Sequence, residues 1–210
     1  MRTLVLLAVV SVAAFAAWEL VNGAAGSAQD GNEEDTLMDG IMNKIDEGVA
    51  LVSAPGPVAD MSTSEAGKRM MRLSEACRLV PYNLHDGVGG SDAWTGGWGH
   101  QYTRYETVPK ILTQAEADAI FEDDVVSRGE SKVKLYVTVP LTQCQFDAVV
   151  DISYGLSVKG FRKFADNINA GNGLDGIAQS SVSWVAALYQ NGIRNRRNRQ
   201  IAMYDNGVYA

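Results

Sequence analysis

The hydrophobic pattern changes character along this chain. An apolar run from Leu4 to Trp18, broken only by Ser11, follows Arg2 and precedes Glu19, Asn22 and the small residues of 23–28. It is shorter than the about 20 residues a spanning helix needs, so residues 1–28 read as an export signal or a weak signal anchor. Arg2 before the run and acids after it predict export of the C-terminal part. Residues 29–57 read as an acidic linker. Within it Leu37, Ile41, Ile45, Val49 and Val52 mark a short amphipathic helix, and Ala54-Pro-Gly-Pro57 breaks it.

The remaining domain, 58–210, has a helical period on both sides of a glycine-rich insert. Ser62-x-x-Glu65 predicts a capping box before a stripe of Ala66, Met70, Leu73 and Cys77. Residues 82–103, rich in Gly, Trp and Tyr, predict turns and short antiparallel strands. Thr113-x-x-Glu116 and Thr142-x-x-Gln145 predict two further capped helices. Phe161, Phe164, Ala165 and Ile168 form a stripe stopped at Gly171-Asn-Gly173. Ile177, Ser181, Trp184, Val185 and Leu188 predict the next helix, stopped at Asn191-Gly192, and Ile193, Arg197, Ile201 and Tyr204 the last. The fold class is α+β, a small antiparallel β lobe among many helices.

Charge and cysteine content narrow the chemistry. Residues 1–59 hold 2 Lys/Arg and 8 Asp/Glu, a balance of −6; residues 60–210 hold 16 and 17, a balance of −1. A near-neutral domain argues against nucleic acid, which needs a basic surface. One basic cluster stands out: Arg194, Arg196, Arg197 and Arg199. Cys77 and Cys144 are too few for a disulfide framework and read first as two small buried side chains, with one bridge as the alternative. No spacing of Cys and His suits a metal, and no cofactor is expected.

Two carboxylates bracket the insert. Glu75 ends a helical pattern; Asp86 sits in the turn Asp86-Gly-Val-Gly89; Thr95 opens a strand pattern. Glycosidic cleavage uses such a pair, one acid to protonate the leaving oxygen and one to hold water. Cys77, Leu79 and Val80 predict partial burial of Glu75, which would raise its pKa toward the working pH. Trp94 and Trp98 are candidates for stacking on sugar or for packing the β lobe. His100 reads as a hydrogen-bonding structural residue, with substrate binding or catalysis as the alternatives. Arg196 and Arg197 are candidates for wall carboxylates or for helix capping.

The order Glu75-Ala-Cys-Arg-Leu-Val-Pro-Tyr82, Asp86-x-x-Gly89, Trp94-Thr-Gly-Gly-Trp-Gly-His100 resembles the phage-type lysozymes, the muramidases of glycoside hydrolase family 24. The resemblance covers about residues 60–206. It includes Ile111-Leu-Thr-Gln-Ala-Glu-Ala-Asp118, Val139-Pro-Leu-Thr-Gln-Cys-Gln-Phe-Asp-Ala148, Trp184, and Gly192-Ile193 followed by Arg196-Arg197. It implies a lysozyme-like fold with a cleft between the β lobe and a larger helical lobe. It also implies hydrolysis of the muramic-to-glucosamine bond of peptidoglycan, usually with inversion and with carboxyls roughly 6.5–9.5 Å apart. Catalysis would fall to Glu75, Asp86 and Thr95. The expected setting is a monomeric endolysin in the periplasm or wall space. A virion-borne lysozyme, a wall-binding scaffold and a lytic transglycosylase are the alternatives. Some members use a weak anchor that slips from the inner membrane, which residues 4–28 would suit.

The match has departures. Glu75 to Asp86 spans 11 positions and Asp86 to Thr95 spans 9, where the family has nine and six. Two small insertions account for this, with Asp92 as the rival second acid. Tyr154-Gly155-Leu156 lacks the family's usual Asn.

Overall fold

The computed structural model describes residues 55–83 and 94–209. The apolar run at Leu4, the 37–52 stripe, Asp86 and Asp92 lie outside them. Among the described residues no helix is long and apolar enough to cross a membrane.

Helix α1 (Glu65–Ser74) leads into strand β1 (Arg78–Asn83). Strands β2 (Trp94–Gly97) and β3 (His100–Gln101) complete a three-stranded antiparallel sheet in the order β1-β2-β3. The pairings are Tyr82 with Thr95 and Thr95 with Gln101. The register slips between Arg78 and Tyr82, where Pro81 sits; an edge strand tolerates a residue without an N–H there. The rest is helical. It comprises α2 (Gln114–Asp124), a π-helical turn (Val125–Glu130), α3 (Ser131–Tyr136), α4 (Gln143–Tyr154), α5 (Val158–Asn169), α6 (Asp175–Ser181) and α7 (Gln190–Asn206). The α+β expectation holds.

Helix α4 is the centre. Every residue from Phe146 to Tyr154 is buried, as expected of a helix enclosed on all sides. Its Val149 and Ile152 share one core with Phe121, Val133, Phe161, Phe164 and Ile168 from the helices around it. Both capping boxes, at Thr113 and Thr142, form as the sequence predicts. The stripe of α5 is also as predicted: its buried residues are Phe161, Phe164, Ala165 and Ile168.

Four local expectations are corrected. The cap of α1 is Ser64, not Ser62: its hydroxyl accepts from the Gly67 N–H and donates to Asp147 of α4. The buried face of α1 is Gly67, Met70 and Met71, and Leu73 is exposed. Gly67 is needed there, since a Cβ would lie 2.6 Å from the Asp147 carboxyl carbon. The helix predicted across Ile177–Leu188 instead breaks into α6 and two 3-10 turns, leaving Trp184 and Leu188 exposed. Asn191-Gly192 does not stop a helix but lies in the first turn of α7, which ends at Gly207 with φ 66°. Both cysteines are free. Cys144 is buried against the Thr142 hydroxyl, whereas Cys77, past the end of α1, is only partly buried.

Candidate active site

The end of α1 sets the first functional side chain. Glu75 is the C-cap residue, with extended backbone (φ −116°, ψ 127°), so the chain turns there from helix into β1. The Ser64–Asp147 contact fixes α1 on α4, and a 2.6 Å bond from the Tyr209 hydroxyl ties the segment after α7 to the same carboxylate. Glu75 reaches a cleft of about 810 Å³, lined also by Thr95, Gly99, Arg128, Lys132, Tyr154 and Arg196.

The two oxygens of Glu75 have different surroundings. Oε1 accepts from Arg196 Nη1 at 2.5 Å. Oε2 lies against Gly99, where a built Cβ would be 3.1 Å away. Arg196 Nη2 donates to Asp151 Oδ1 at 2.7 Å, and Asp151 Oδ2 accepts from Gln200 at 2.5 Å. Asp151 is buried and Arg196 nearly so. Burial alone would lower the Arg196 pKa, but the Asp151 and Glu75 carboxylates outweigh it and hold it above the ordinary arginine value. A permanent cation therefore bridges Glu75 to the central helix.

The β2–β3 turn brings Gly99 to Glu75, and a polar network holds that turn. The Tyr154 hydroxyl donates to the Trp98 carbonyl at 2.9 Å. Arg128 Nη1 donates to Asp124 Oδ2 at 3.0 Å and to the Gly99 carbonyl at 3.3 Å. His100 places Nδ1 2.9 Å from Asp124 and Nε2 3.1 Å from Glu106. Gly99 has φ 86°, a conformation costly for residues with a Cβ. Gly99→Ala is expected to cost about 1–2 kcal/mol of stability and to lower activity by displacing the Glu75 carboxyl. Unchanged turnover on a folded variant would contradict this placement.

His100 also carries a pH signature. Its hydrogen bond to Asp124 raises its pKa, against the opposing effect of burial, with the Asp124 and Glu106 charges adding to the rise. A raised histidine pKa means stabilisation fully present below the unfolded value of about 6.5 and lost as pH rises through the folded value. The cost of His100→Ala is expected to be about 1.5–3 kcal/mol at pH 5 and smaller at pH 9. Denaturant titrations of both proteins at the two pH values measure this; an equal cost at both would contradict it.

Of the positions marked in the sequence, the cleft gathers Glu75, Thr95 and Arg196. Trp98 is turned onto α2, donating to Asp118 at 2.7 Å and packing near Phe121. Trp94 pairs with Asn83 in the sheet. His100 faces Asp124 and borders a neighbouring hollow of about 750 Å³. Arg197 is buried, donating to Ser181 and Gln200 and lying over Phe164, with its pKa brought down to about 10 by burial and by Arg196. Trp94, Trp98, His100 and Arg197 are not in the lining of the cleft. Asp151, Arg128 and Lys132 carry no site signature of their own in the sequence, and Tyr154 is marked only through the family Asn that its segment lacks. The four-residue spacing of Asp124, Arg128 and Lys132 is the one available signal for the two cations. Among the described residues no cluster suits a metal.

The phage lysozyme family model matches residues 72–200. The endolysin of Acyrthosiphon pisum secondary endosymbiont phage 1 is 25% identical over 153 residues, 69% of this chain and 99% of that protein. The endolysin of Lactococcus phage c2 is 28% identical over 160 residues, 70% of this chain; the match spans 62% of that longer relative. Among solved structures, the endolysin from Escherichia coli O157:H7 phage FAHEc1 superposes with TM-score 0.58 at 26% identity, covering 75% of this chain and 99% of that one. The muramidase domain of SpmX from Asticaccaulis excentricus shares the fold, with TM-score 0.55 at 24% identity, covering 69% and 97%.

Proposed function

The chain belongs to the phage lysozyme family, and from that premise we propose that it is a muramidase of glycoside hydrolase family 24. Its reaction is hydrolysis of the β-1,4 bond between N-acetylmuramic acid and N-acetylglucosamine in peptidoglycan. The observation that carries this reading is the pairing of Glu75 and Thr95, from different elements, in one open cleft. Within it Glu75 Oε1 is held by Arg196 and Oε2 lies against Gly99.

In this reading a glycan strand lies along the cleft with its scissile oxygen at Glu75. Glu75 gives its proton to that oxygen as oxocarbenium-like charge develops on the sugar. Arg196 fixes the other carboxyl oxygen, so the proton-bearing edge keeps one direction. Thr95 is nine-tenths buried on β2. Its hydroxyl both donates and accepts, which suits holding a water for attack on the opposite sugar face. Asp86 is the base for that water, assigned from its Asp-x-x-Gly context, with Asp92 as the alternative. Attack from the opposite face inverts the anomeric centre.

The relatives named endolysins support a role in phage lysis of the host. Export through residues 4–28 would bring the enzyme to the periplasm or wall space. The full chain is expected to clear a suspension of purified peptidoglycan. Binding without any loss of turbidity would sink the hydrolase reading and leave a wall-binding scaffold.

A further inference from the structure

One side of the cleft carries cations that the hydrolysis itself does not use. The π-helical turn and the start of α3 supply Ser127, Arg128, Ser131 and Lys132 to the lining. Gly129 lets that turn sit on α4, since a Cβ there would be 2.8 Å from Val150. Arg128 and Lys132 are four residues apart and reach the same cleft.

Arg128 shares its carboxylate partner, Asp124, with His100, and Lys132 rests on neutral acceptors. Lys132 Nζ donates to two neutral acceptors, the carbonyls of Ser153 at 2.5 Å and Leu156 at 2.6 Å. Among the described residues no carboxylate pairs with it. Burial, with the nearby Arg128 charge, lowers its pKa to about 8. Arg128 lies over the Tyr154 ring and spends Nη1 on Asp124 and Gly99. Asp124 is shared with His100. The Arg128 side chain is 30% exposed, and a guanidinium has five N–H donors. The cleft thus presents positive charge with donors to spare. Neutral sugar hydroxyls do not require that; an anion does.

The muramic residue carries the acid in peptidoglycan, as a lactyl carboxyl or as the carboxylates of the peptide attached to it. We propose that Arg128 and Lys132 form a carboxylate-binding subsite that takes this acidic substituent, so that the enzyme selects acid-bearing glycan over neutral glycan. The proposal rests on the muramidase reading. Arg128 supplies the planar fork that grips a carboxylate, and Lys132 a point charge beside it.

The test uses the full chain and soluble glycan strands in three forms. One keeps its stem peptides. A second has had them removed by an amidase, which leaves the lactyl carboxylate. The third has every carboxyl capped as a methylamide. Release of reducing ends gives kcat/KM on each. The wild-type protein is expected to prefer strands with free carboxylates over capped strands by about tenfold. Arg128→Gln and Lys132→Gln should each bring that preference toward unity, mainly through KM. Arg128→Lys should retain part of it. The ratio is internal to each protein, so a loss of folded fraction does not move it.

A preference that survives on amidase-treated strands identifies the lactyl group; one confined to peptide-bearing strands identifies the stem. Either sustains the subsite. No preference in the wild type, or an undiminished one in both Gln variants, overturns it. Failure to cleave any of the three forms would instead remove the muramidase reading, and the subsite with it.

Discussion

Glu75→Gln is expected to lower turnover on peptidoglycan by about 10²–10⁴-fold while the protein stays folded and still binds glycan. The amide keeps an oxygen for Arg196 Nη1, which now bonds Glu75 Oε1 at 2.5 Å, so the ion pair is replaced by a hydrogen bond of the same shape. The amide also fits beside Gly99, where Oε2 now lies. What is lost is the proton. Cleavage without a donor leaves the departing sugar oxygen as an alkoxide, and general acids remove that barrier. Parallel measurements of reducing-end release and glycan binding check this. A variant within tenfold of wild-type turnover would mean that another group delivers the proton.

Arg196→Met has the second large effect, on stability as well as activity. It leaves Asp151, 3% exposed, without the guanidinium that neutralises it. Breaking a buried ion pair from one side costs about 3–5 kcal/mol. The Gln200 amide still bonds Asp151 Oδ2, which limits but does not replace the lost charge. Glu75 loses its anchor in the same step, so activity falls by more than the loss of folded protein explains. Arg196→Lys should lie between, since one ammonium does not span two carboxylates as the fork does. Urea titration beside reducing-end assays on folded protein measures both effects. A loss below about 1 kcal/mol, well under the cost of a broken buried pair, would show that Arg196 is not the bridge.

The parts of this fold legible in the sequence were those decided by neighbours in the chain. Thr113 and Thr142 cap their helices through residues three positions on, so the hydrogen bonds that form are written locally. The α5 stripe is likewise a matter of period. Ser64 displaces Ser62 as a cap because Asp147, 83 residues away, bonds its backbone and hydroxyl. Met71 displaces Leu73 because Gly67 allows α1 to approach α4 on that side.

The site divides in the same way. Glu75, Thr95 and Arg196 were marked by residue type and order, and they meet in the cleft. Arg197 was marked with Arg196, yet consecutive helix residues point about 100° apart, and it enters the core beside Ser181 and Phe164. Trp98 and His100 turn toward α2 residues, Asp118 and Asp124, a relation no local pattern reports. Asp151 reads as one more position on a buried helix until Arg196 of α7 is placed against it.

The most direct measurement is digestion of purified peptidoglycan by the full chain in water enriched in oxygen-18, with mass spectrometry of the products. Muramic reducing ends that carry the label are expected, because the water on the far side of the sugar from Glu75 supplies the new oxygen. Unlabelled anhydro-muramic ends, or intact strands, would contradict this.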